Sequence, residues 1–160
     1  MTPCPHTIAR IMTIMEAAFD PVYGEAWNRR QVSDALAMPS THALVLDSDG
    51  DPIESGPCGQ AKQHPAGFVL TRFAADEEEL LLIAVTPEMR GRGLGEKLMQ
   101  HFFDMAKSRG VNRIFLEMRR GNPAVHLYQK VGFEPIGQRR NYYRLSNGER
   151  VDAITFGRSL

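Results

Sequence analysis

A run of six apolar residues, Leu80-Leu81-Leu82-Ile83-Ala84-Val85, leads within a few positions into Arg90-Gly91-Arg92-Gly93-Leu94-Gly95. This passage constrains the chain more than any other. A short unbroken apolar run reads as a buried strand. Thr86-Pro87-Glu88-Met89 turns the chain, and a helical pattern starts in the second half of the glycine segment. Three glycines at a strand-to-helix junction leave backbone N–H groups unshielded. A helix start carries orphan N–H groups and the positive end of the dipole. The segment therefore has two readings: a pyrophosphate site, or a tight connection in which glycine serves turn geometry alone. No Lys-Ser or Lys-Thr follows the last glycine, which excludes a P-loop, and the spacing is not that of a dinucleotide fingerprint.

A length of 160 residues suits one domain, residues 1–160, with a full core. Basic and acidic residues balance at 19 each, so the global basic field that direct nucleic-acid binding usually needs is missing. No apolar run approaches the roughly 20 residues of a membrane span, and the N-terminus lacks a signal-peptide pattern. The two cysteines, Cys4 and Cys58, stand far apart and in no metal-binding spacing. Neither a disulfide framework nor a metal site is expected, and the expected compartment is the reducing cytoplasm.

Residues 7–19 place Ile8, Ile11, Met12, Met15, Ala18 and Phe19 at helical spacing. The segment 20–24 breaks this helix, and Asn28 or a neighbour caps a second one, which runs to about Ala37. Residues 43–46 read as a short strand and 47–51 as a hairpin turn. The alternating aspartates of that turn also suggest a calcium loop, but counting from Asp47 the position of the bidentate Glu falls on Cys58. Residues 52–65, rich in Gly, Pro, Ser and Gln, read as an exposed, mobile loop. Residues 67–73 form the next strand, 74–79 turn, and 80–85 pair back against it. In the following helix Leu94, Leu98, Phe102 and Met105 make a core-facing stripe that Gly110 ends. Residues 111–119 alternate as a strand, with Ile114, Leu116 and Met118 on one face and Arg113, Phe115, Glu117 and Arg119 on the other. Asn122-Pro123 opens a short helix with Ala124, Leu127, Tyr128 and Val131 as its apolar stripe, ending at Gly132. Residues 133–143 and 151–157 make a final hairpin around Ser146-Asn147-Gly148. The expected fold is mixed α/β (α+β), a layered sheet with helices.

Two side chains invite a chemical reading. Glu117, a carboxylate flanked by Leu116 and Met118 on an interior strand, tends toward a raised pKa and suits a general base for an ammonium group. The alternative is a strand-end Glu paired with Arg119 or Arg120. Tyr128 lies on the core stripe, as a packing residue does, or presents its hydroxyl to a cleft as a proton donor. Asn122 is most simply a helix cap. The cluster Arg139-Arg140-Asn141-Tyr142-Tyr143 reads as solvated strand residues, or as groups suited to a peptide or an acidic ligand. Neither cysteine has a neighbouring base that would make it a nucleophile.

Four segments together carry a family resemblance: Leu82-Ile83-Ala84-Val85 with Arg90-x-x-Gly93-x-Gly95; Leu116-Glu117-Met118-Arg119; Asn122, Ala124 and Leu127-Tyr128 before Val131-Gly132-Phe133; and Arg140-Asn141-Tyr142-Tyr143 before Asp152-Ala153-Ile154. From residue 67 onward the chain resembles the ribosomal-protein-alanine N-acetyltransferase branch of the GNAT superfamily. The glycine loop and Tyr-x-x-x-Gly-Phe are shared across the superfamily. Leu-Glu-x-Arg with Arg-Asn-Tyr-Tyr is narrower and points to N-terminal acetyltransferases.

The resemblance implies the GNAT fold, a central, mostly antiparallel twisted sheet flanked by helices, and acetyl-CoA as acetyl donor with no metal. By position it implies that Ile83, Ala84 and Val85 pair with the pantetheine arm, the Val85 N–H facing the thioester oxygen. Gly91, Arg92, Gly93, Leu94, Gly95 and Glu96 would hold the pyrophosphate through backbone N–H groups, and Asn122 would contact the cofactor. Glu117 would be the general base and Tyr128 the general acid of a direct transfer without an acyl-enzyme. The implied partner is a protein N-terminus, the alanine of a small-subunit ribosomal protein, with no nucleic acid and no membrane. Two rivals stand beside this: a lysine or small-amine acceptor on the same fold, and a non-catalytic acyl-CoA-binding sensor module. The family begins with a strand before its first helix, for which residues 1–6 are short and proline-bearing.

Overall fold

The computed structural model describes residues 5–53 and 64–160. Two helices come first, α1 (Pro5–Ala18) and α2 (Arg29–Leu36). α1 buries Ile8, Ile11, Ile14 and Met15 along one stripe. Asn28 caps α2 reciprocally: its Oδ1 accepts from the Gln31 N–H and the Gln31 Oε1 accepts from the Asn28 N–H, both at 2.8 Å. Pro5 already belongs to α1, and residues 1–4 lie outside the described residues.

Six strands and two further helices follow: β1 (Thr41–Asp47), β2 (Pro65–Ala74), β3 (Glu77–Val85), α3 (Leu94–Ser108), β4 (Arg113–Arg119), α4 (Val125–Lys130), β5 (Glu134–Arg144) and β6 (Arg150–Ser159). They form one sheet in the order β1-β2-β3-β4-β6-β5. The β3–β4 pair is parallel and the other four are antiparallel. Helices cover both faces. On one, Leu94, Leu98 and Phe102 of α3 pack with Ile114, Leu116 and Phe156. On the other, Ile11, Ile14 and Val32 pack with Val45, Phe68 and Leu70. The expected mixed α/β architecture and its mostly antiparallel sheet are therefore present.

Several boundaries differ from the sequence reading. β3 starts at Glu77, not Leu80, because its three glutamates are not a solvated turn. Glu78 is fully buried and accepts two hydrogen bonds from Arg109 at 2.5 and 2.6 Å, and Glu79 accepts one from Arg72 at 2.9 Å. The turn shrinks to two residues, with Ala75 at φ 56°. β4 starts at Arg113, since the Val111 N–H still bonds back to α3 at the Ala106 carbonyl. α4 starts at Val125, because Asn122 Oδ1 accepts from the Ala124 N–H at 2.9 Å and closes a turn ahead of the helix. Met105 is only partly buried, and Met99, Phe103 and Ala106 complete the buried stripe of α3.

The turn at 47–51 is a hairpin built on Asp47, whose Oδ1 accepts from the N–H groups of Asp49 and Asp51 at 2.9 and 3.0 Å. Past it the chain stays ordered against β1: Pro52 bridges Leu46, and the Ile53 N–H bonds the Val45 carbonyl at 2.8 Å. Most of the segment read as an exposed loop, residues 54–63 with Cys58, lies outside the described residues.

Candidate active site

The site begins with an irregularity in β3. Leu70 faces Leu82 while Thr71 faces Leu80, so Leu81 is an extra residue that bends the strand. The parallel ladder between β3 and β4 runs from Glu77 opposite Arg113 to Leu80 opposite Leu116 and stops there. β4 continues beside β6 while β3 continues beside β2, so a gap opens between residues 81–85 and 117–119. The Thr86 N–H bonds the Ala66 carbonyl on β2 at 2.8 Å. Backbone groups alternate sides along a strand, so Val85 and Ile83 turn their N–H and C=O groups into the gap. The result is a short free strand edge inside the molecule.

The gap widens into a cleft of about 750 Å³. One end is the glycine loop. Gly91 and Gly93 take φ +76° and +79°, a region strained for any side chain, and the space beside each is open. Gly93 caps α3, and no side chain bonds to the helix's first turn. The amides left over there border the cleft, which Gly91, Gly93, Leu94, Gly95 and Glu96 line. Arg92, expected with them, does not line it. Gly95 lets α4 dock closely: a Cβ there would stand 3.1 Å from the Leu127 Cδ2. Glu96 and Lys130 close the same seam with an ion pair of 2.5 Å. Arg90 also lines the cleft and donates to the Ala18 carbonyl at the end of α1, 2.8 Å away.

At the other end stand the two candidate proton-transfer groups, both lining the cleft. The Glu117 side chain is 22% exposed, and its nearest cation is Arg139 on β5, with Nε 3.7 Å from Oε2. The expected pairing with Arg119 or Arg120 is overturned because both are otherwise engaged. Arg119 Nε donates to Glu25 at 2.9 Å, with its guanidinium 3.5 Å from the centre of the Tyr23 ring. Arg120 stands 3.4 Å from Asp152. Tyr128 is a packing residue that also lines the cleft. Its ring is buried against Phe133 and Phe156, and its side chain borders the cleft. Burial first, then the nearby Glu25 and Tyr143, push its phenol far above the ordinary range, so the hydroxyl keeps its proton at neutral pH. Asn122 lines the cleft with its carbonyl oxygen spent on the turn and its Nδ2 3.5 Å from Glu25.

Ile83, Ala84, Val85, Gly91, Gly93, Leu94, Gly95, Glu96, Glu117, Asn122 and Tyr128 thus border one cavity. Sequence reasoning missed Tyr23, which it took for part of a helix break, and Glu25, to which it gave no role. They sit on the connection between α1 and α2, where Asp20 Oδ1 accepts from the Val22 N–H and Gly24 turns at φ 62°. That connection also touches the last hairpin, for the Ser146 N–H bonds the Val22 carbonyl at 3.0 Å. Tyr143 on β5 belongs to the basic-aromatic cluster read from sequence as solvated strand residues or as groups suited to a peptide or an acidic ligand. Burial first, then the charges of Glu117 and Glu25, push its phenol up to about 12. The paired tyrosines next to arginines were its only sequence signal. Among the described residues no group of three His, Cys, Asp or Glu side chains is placed to hold a metal ion. No helix among them is long and apolar enough to cross a membrane.

Comparison with known proteins agrees with this geometry. Residues 8–133 match the model of the acetyltransferase (GNAT) family. A Bacillus subtilis (strain 168) protein, provisionally described as a [ribosomal protein bS18]-alanine N-acetyltransferase, is 36% identical over 117 residues, which cover 72% of this chain and 68% of that one. The [ribosomal protein bS18]-alanine N-acetyltransferase of Salmonella typhimurium is 41% identical over 95 residues, 59% of this chain and 64% of its own length. The match thus spans about two thirds of these relatives. The crystal structure of the ribosomal-protein-S18-alanine N-acetyltransferase from Escherichia coli superposes with a TM-score of 0.78 at 26% identity, covering 99% of this chain and 91% of that one. GNAT acetyltransferases use acetyl-CoA, and the chain that builds this splayed sheet and glycine-capped helix belongs to the GNAT family of acetyltransferases.

Proposed function

We propose that the chain transfers the acetyl group of acetyl-CoA to the α-amino group of a protein N-terminus, the alanine of a small-subunit ribosomal protein. One observation carries the reading: a single cleft joins the free edge at Ile83 and Val85, the open start of α3, and the side chains of Glu117 and Tyr128. The relatives' names support the acceptor, since the Salmonella enzyme is named for the alanine of ribosomal protein bS18. This reading puts the enzyme in the cytoplasm.

The residues present fit the cofactor. Gly91 and Gly93 leave open space where side chains would stand, and the uncapped amides of α3 suit a pyrophosphate. Ile83 and Val85 offer amide pairing to the pantetheine arm, with Ala84 between them and Asn122 bordering the same arm. Arg92 is left a backbone role at most, since it does not line the cleft. When bound, acetyl-CoA supplies its acetyl group as a reactive thioester.

The chain's own groups then divide the work. Glu117 takes a proton from the acceptor ammonium, and the amine nitrogen bonds to the acetyl carbon as the carbon–sulfur bond breaks. The Val85 N–H donates to the carbonyl oxygen while negative charge gathers on it. The Tyr128 hydroxyl, kept protonated by burial, donates to the departing sulfur while the new amide nitrogen gives up its second proton to solvent; as products leave, Tyr128 regains a proton from solvent and Glu117 releases the one it took. No covalent enzyme intermediate is needed. An α-amino group titrates near pH 8 and a lysine at about 10.4, so one carboxylate suffices for an N-terminus far more readily than for a lysine.

Release of free CoA from acetyl-CoA tests the reading with two short peptides. One begins with a free alanine amine, and the other is N-blocked with an internal lysine. Turnover of the first alone is expected. Turnover of the second replaces the acceptor with a lysine, and turnover of neither despite tight acetyl-CoA binding replaces the enzyme with a sensor module.

A further inference from the structure

β5 leaves its ladder in mid-strand. Arg139 pairs with Ala153 and Tyr143 with Val151, so Asp152 alone faces Arg140, Asn141 and Tyr142. Within that bulge Asn141 turns at φ 52°, a left-handed conformation that a residue with a side chain holds only when its surroundings fix it. Asp152 supplies the fixing. Its Oδ1 accepts from the Asn141 N–H at 2.9 Å, and its Oδ2 accepts from Gln138 Nε2 at 2.7 Å and stands 3.4 Å from Arg120 Nε. The Arg120 N–H also bonds the Asp152 carbonyl at 2.8 Å. One residue therefore ties together the end of β4, the paired half of β5 and the bulge.

The bulge matters because of what flanks it. Side chains alternate along β6, so Asp152 points to one face while Ala153 and Val151 point to the other. Their cross-strand partners, Arg139 and Tyr143, stand on that second face, as does Glu117. Arg139 is the cation nearest Glu117, 3.7 Å away, and Tyr143 is half-buried on the same face. Bulges bend a strand and re-aim the side chains next to them.

We infer that Asp152 is a positioning residue for the acceptor: its carboxylate holds the Asn141 bulge, and the bulge sets Arg139 and Tyr143 against Glu117. The inference rests on the proposed acetyltransferase reading, in which the acceptor amine meets Glu117. Asp152 touches no reacting atom. It acts through the shape of β5.

The test is a double-mutant cycle with the alanine-initiated peptide. Asp152→Ala is expected to raise the peptide KM about tenfold, with acetyl-CoA affinity unchanged within about twofold. In a Tyr143→Phe background the same substitution should add less than about twofold, because the side chain it positions is already altered. Asp152→Asn, which keeps an oxygen for the Asn141 N–H, should recover most of the loss. An equal effect in both backgrounds, an unchanged KM, or a parallel loss of acetyl-CoA affinity overturns the inference.

A second readout does not depend on turnover. In amide NMR spectra of the whole chain, the Asn141 N–H signal should move as the Asp152 carboxyl is protonated, and the Tyr143 signals should move with it. Tyr143 signals that stay still while Asn141 titrates overturn the coupling. A wild-type chain that acetylates neither peptide fails the functional reading instead, and the spectra then decide this one alone.

Discussion

The two walls of the cleft are built in different ways. The wall from β3 through the glycine loop to α3 is continuous in sequence and offers mainly backbone: the edge at Ile83 and Val85, and the amides that follow Gly93. The facing wall is assembled from side chains of distant segments. Tyr23 and Glu25 precede α2, Glu117 and Arg119 lie on β4, and Tyr128 lies on α4. Its joints are charge contacts, Arg119 to Glu25 across 94 positions and Glu117 to Arg139 across the sheet. A backbone wall gives every ligand the same pattern of donors, which suits a fixed cofactor. A side-chain wall can be retuned one residue at a time, which suits a variable acceptor.

The largest expected effect breaks the backbone wall at its most constrained point. Gly93→Glu forces a side chain onto φ +79° and places a carboxylate among the amides at the start of α3. Acetyl-CoA binding should fall by about 100-fold or more, since charge repulsion adds to a backbone strain of about 1–3 kcal/mol. Calorimetric titration checks this, and retained affinity would move the pyrophosphate elsewhere. Next in size, Glu117→Gln breaks the facing wall. Turnover should drop about 100-fold, the usual loss for a general base, while acetyl-CoA affinity stays close to that of the wild type. Equal loss in both would mean that the walls are not separate.

The same division explains what could be read from sequence. The backbone wall was legible because its signals are local: an apolar run, a turn, and glycines before a helical stripe. Glu117 and Tyr128 were legible as candidates through strand alternation and helical spacing. Their surroundings were not. Arg119 and Arg120 are close to Glu117 in sequence and seemed its natural partners, yet Arg119 reaches Glu25 and Arg120 reaches Asp152. The choice depends on how β4, β6 and the α1–α2 connection meet in space, and local spacing carries none of that. Glu78 shows the same limit away from the site. The three consecutive glutamates read as part of a turn, and only the fold brings Arg109 onto the middle one.

A smaller effect sharpens the comparison on the acceptor side. Glu25→Gln leaves the nearly buried Arg119 with the Tyr23 ring and a weaker acceptor in place of its carboxylate. Stability should fall by about 2 kcal/mol, the scale of a hydrogen bond to a charged group. The peptide KM should rise about fivefold with acetyl-CoA affinity unchanged. Thermal unfolding and steady-state kinetics report the two halves separately. A change in acetyl-CoA affinity would show that Glu25 reaches the cofactor wall through Asn122, which its carboxylate also faces.

The smallest effect concerns titration, which the two walls should feel differently because backbone amides carry no titrating proton. An ordinary tyrosine phenol titrates near pH 10, whereas burial and then Glu117 push Tyr143 up to about 12. Below pH 10 the phenol is neutral in both folded and unfolded chains, and the environment's preference for the neutral form is fully retained. Between about 10 and 12 the unfolded chain gives up this proton while the folded chain keeps it, so stability falls as pH rises through that window. Tyr143 is only half-buried, so solvent screening makes its share modest. Tyr143→Phe removes this share, and the urea midpoint of the variant should decline less steeply from pH 10 to 12 than that of the wild type. Burial, the largest cause of the Tyr128 shift, is common to both proteins, and the smaller Tyr143 contribution to that shift disappears in the variant, which acts in the same direction. Parallel slopes would mean that the Tyr143 phenol is neither buried nor close to the carboxylates at Glu117 and Glu25, and that the bulge at Asn141 does not set it against them.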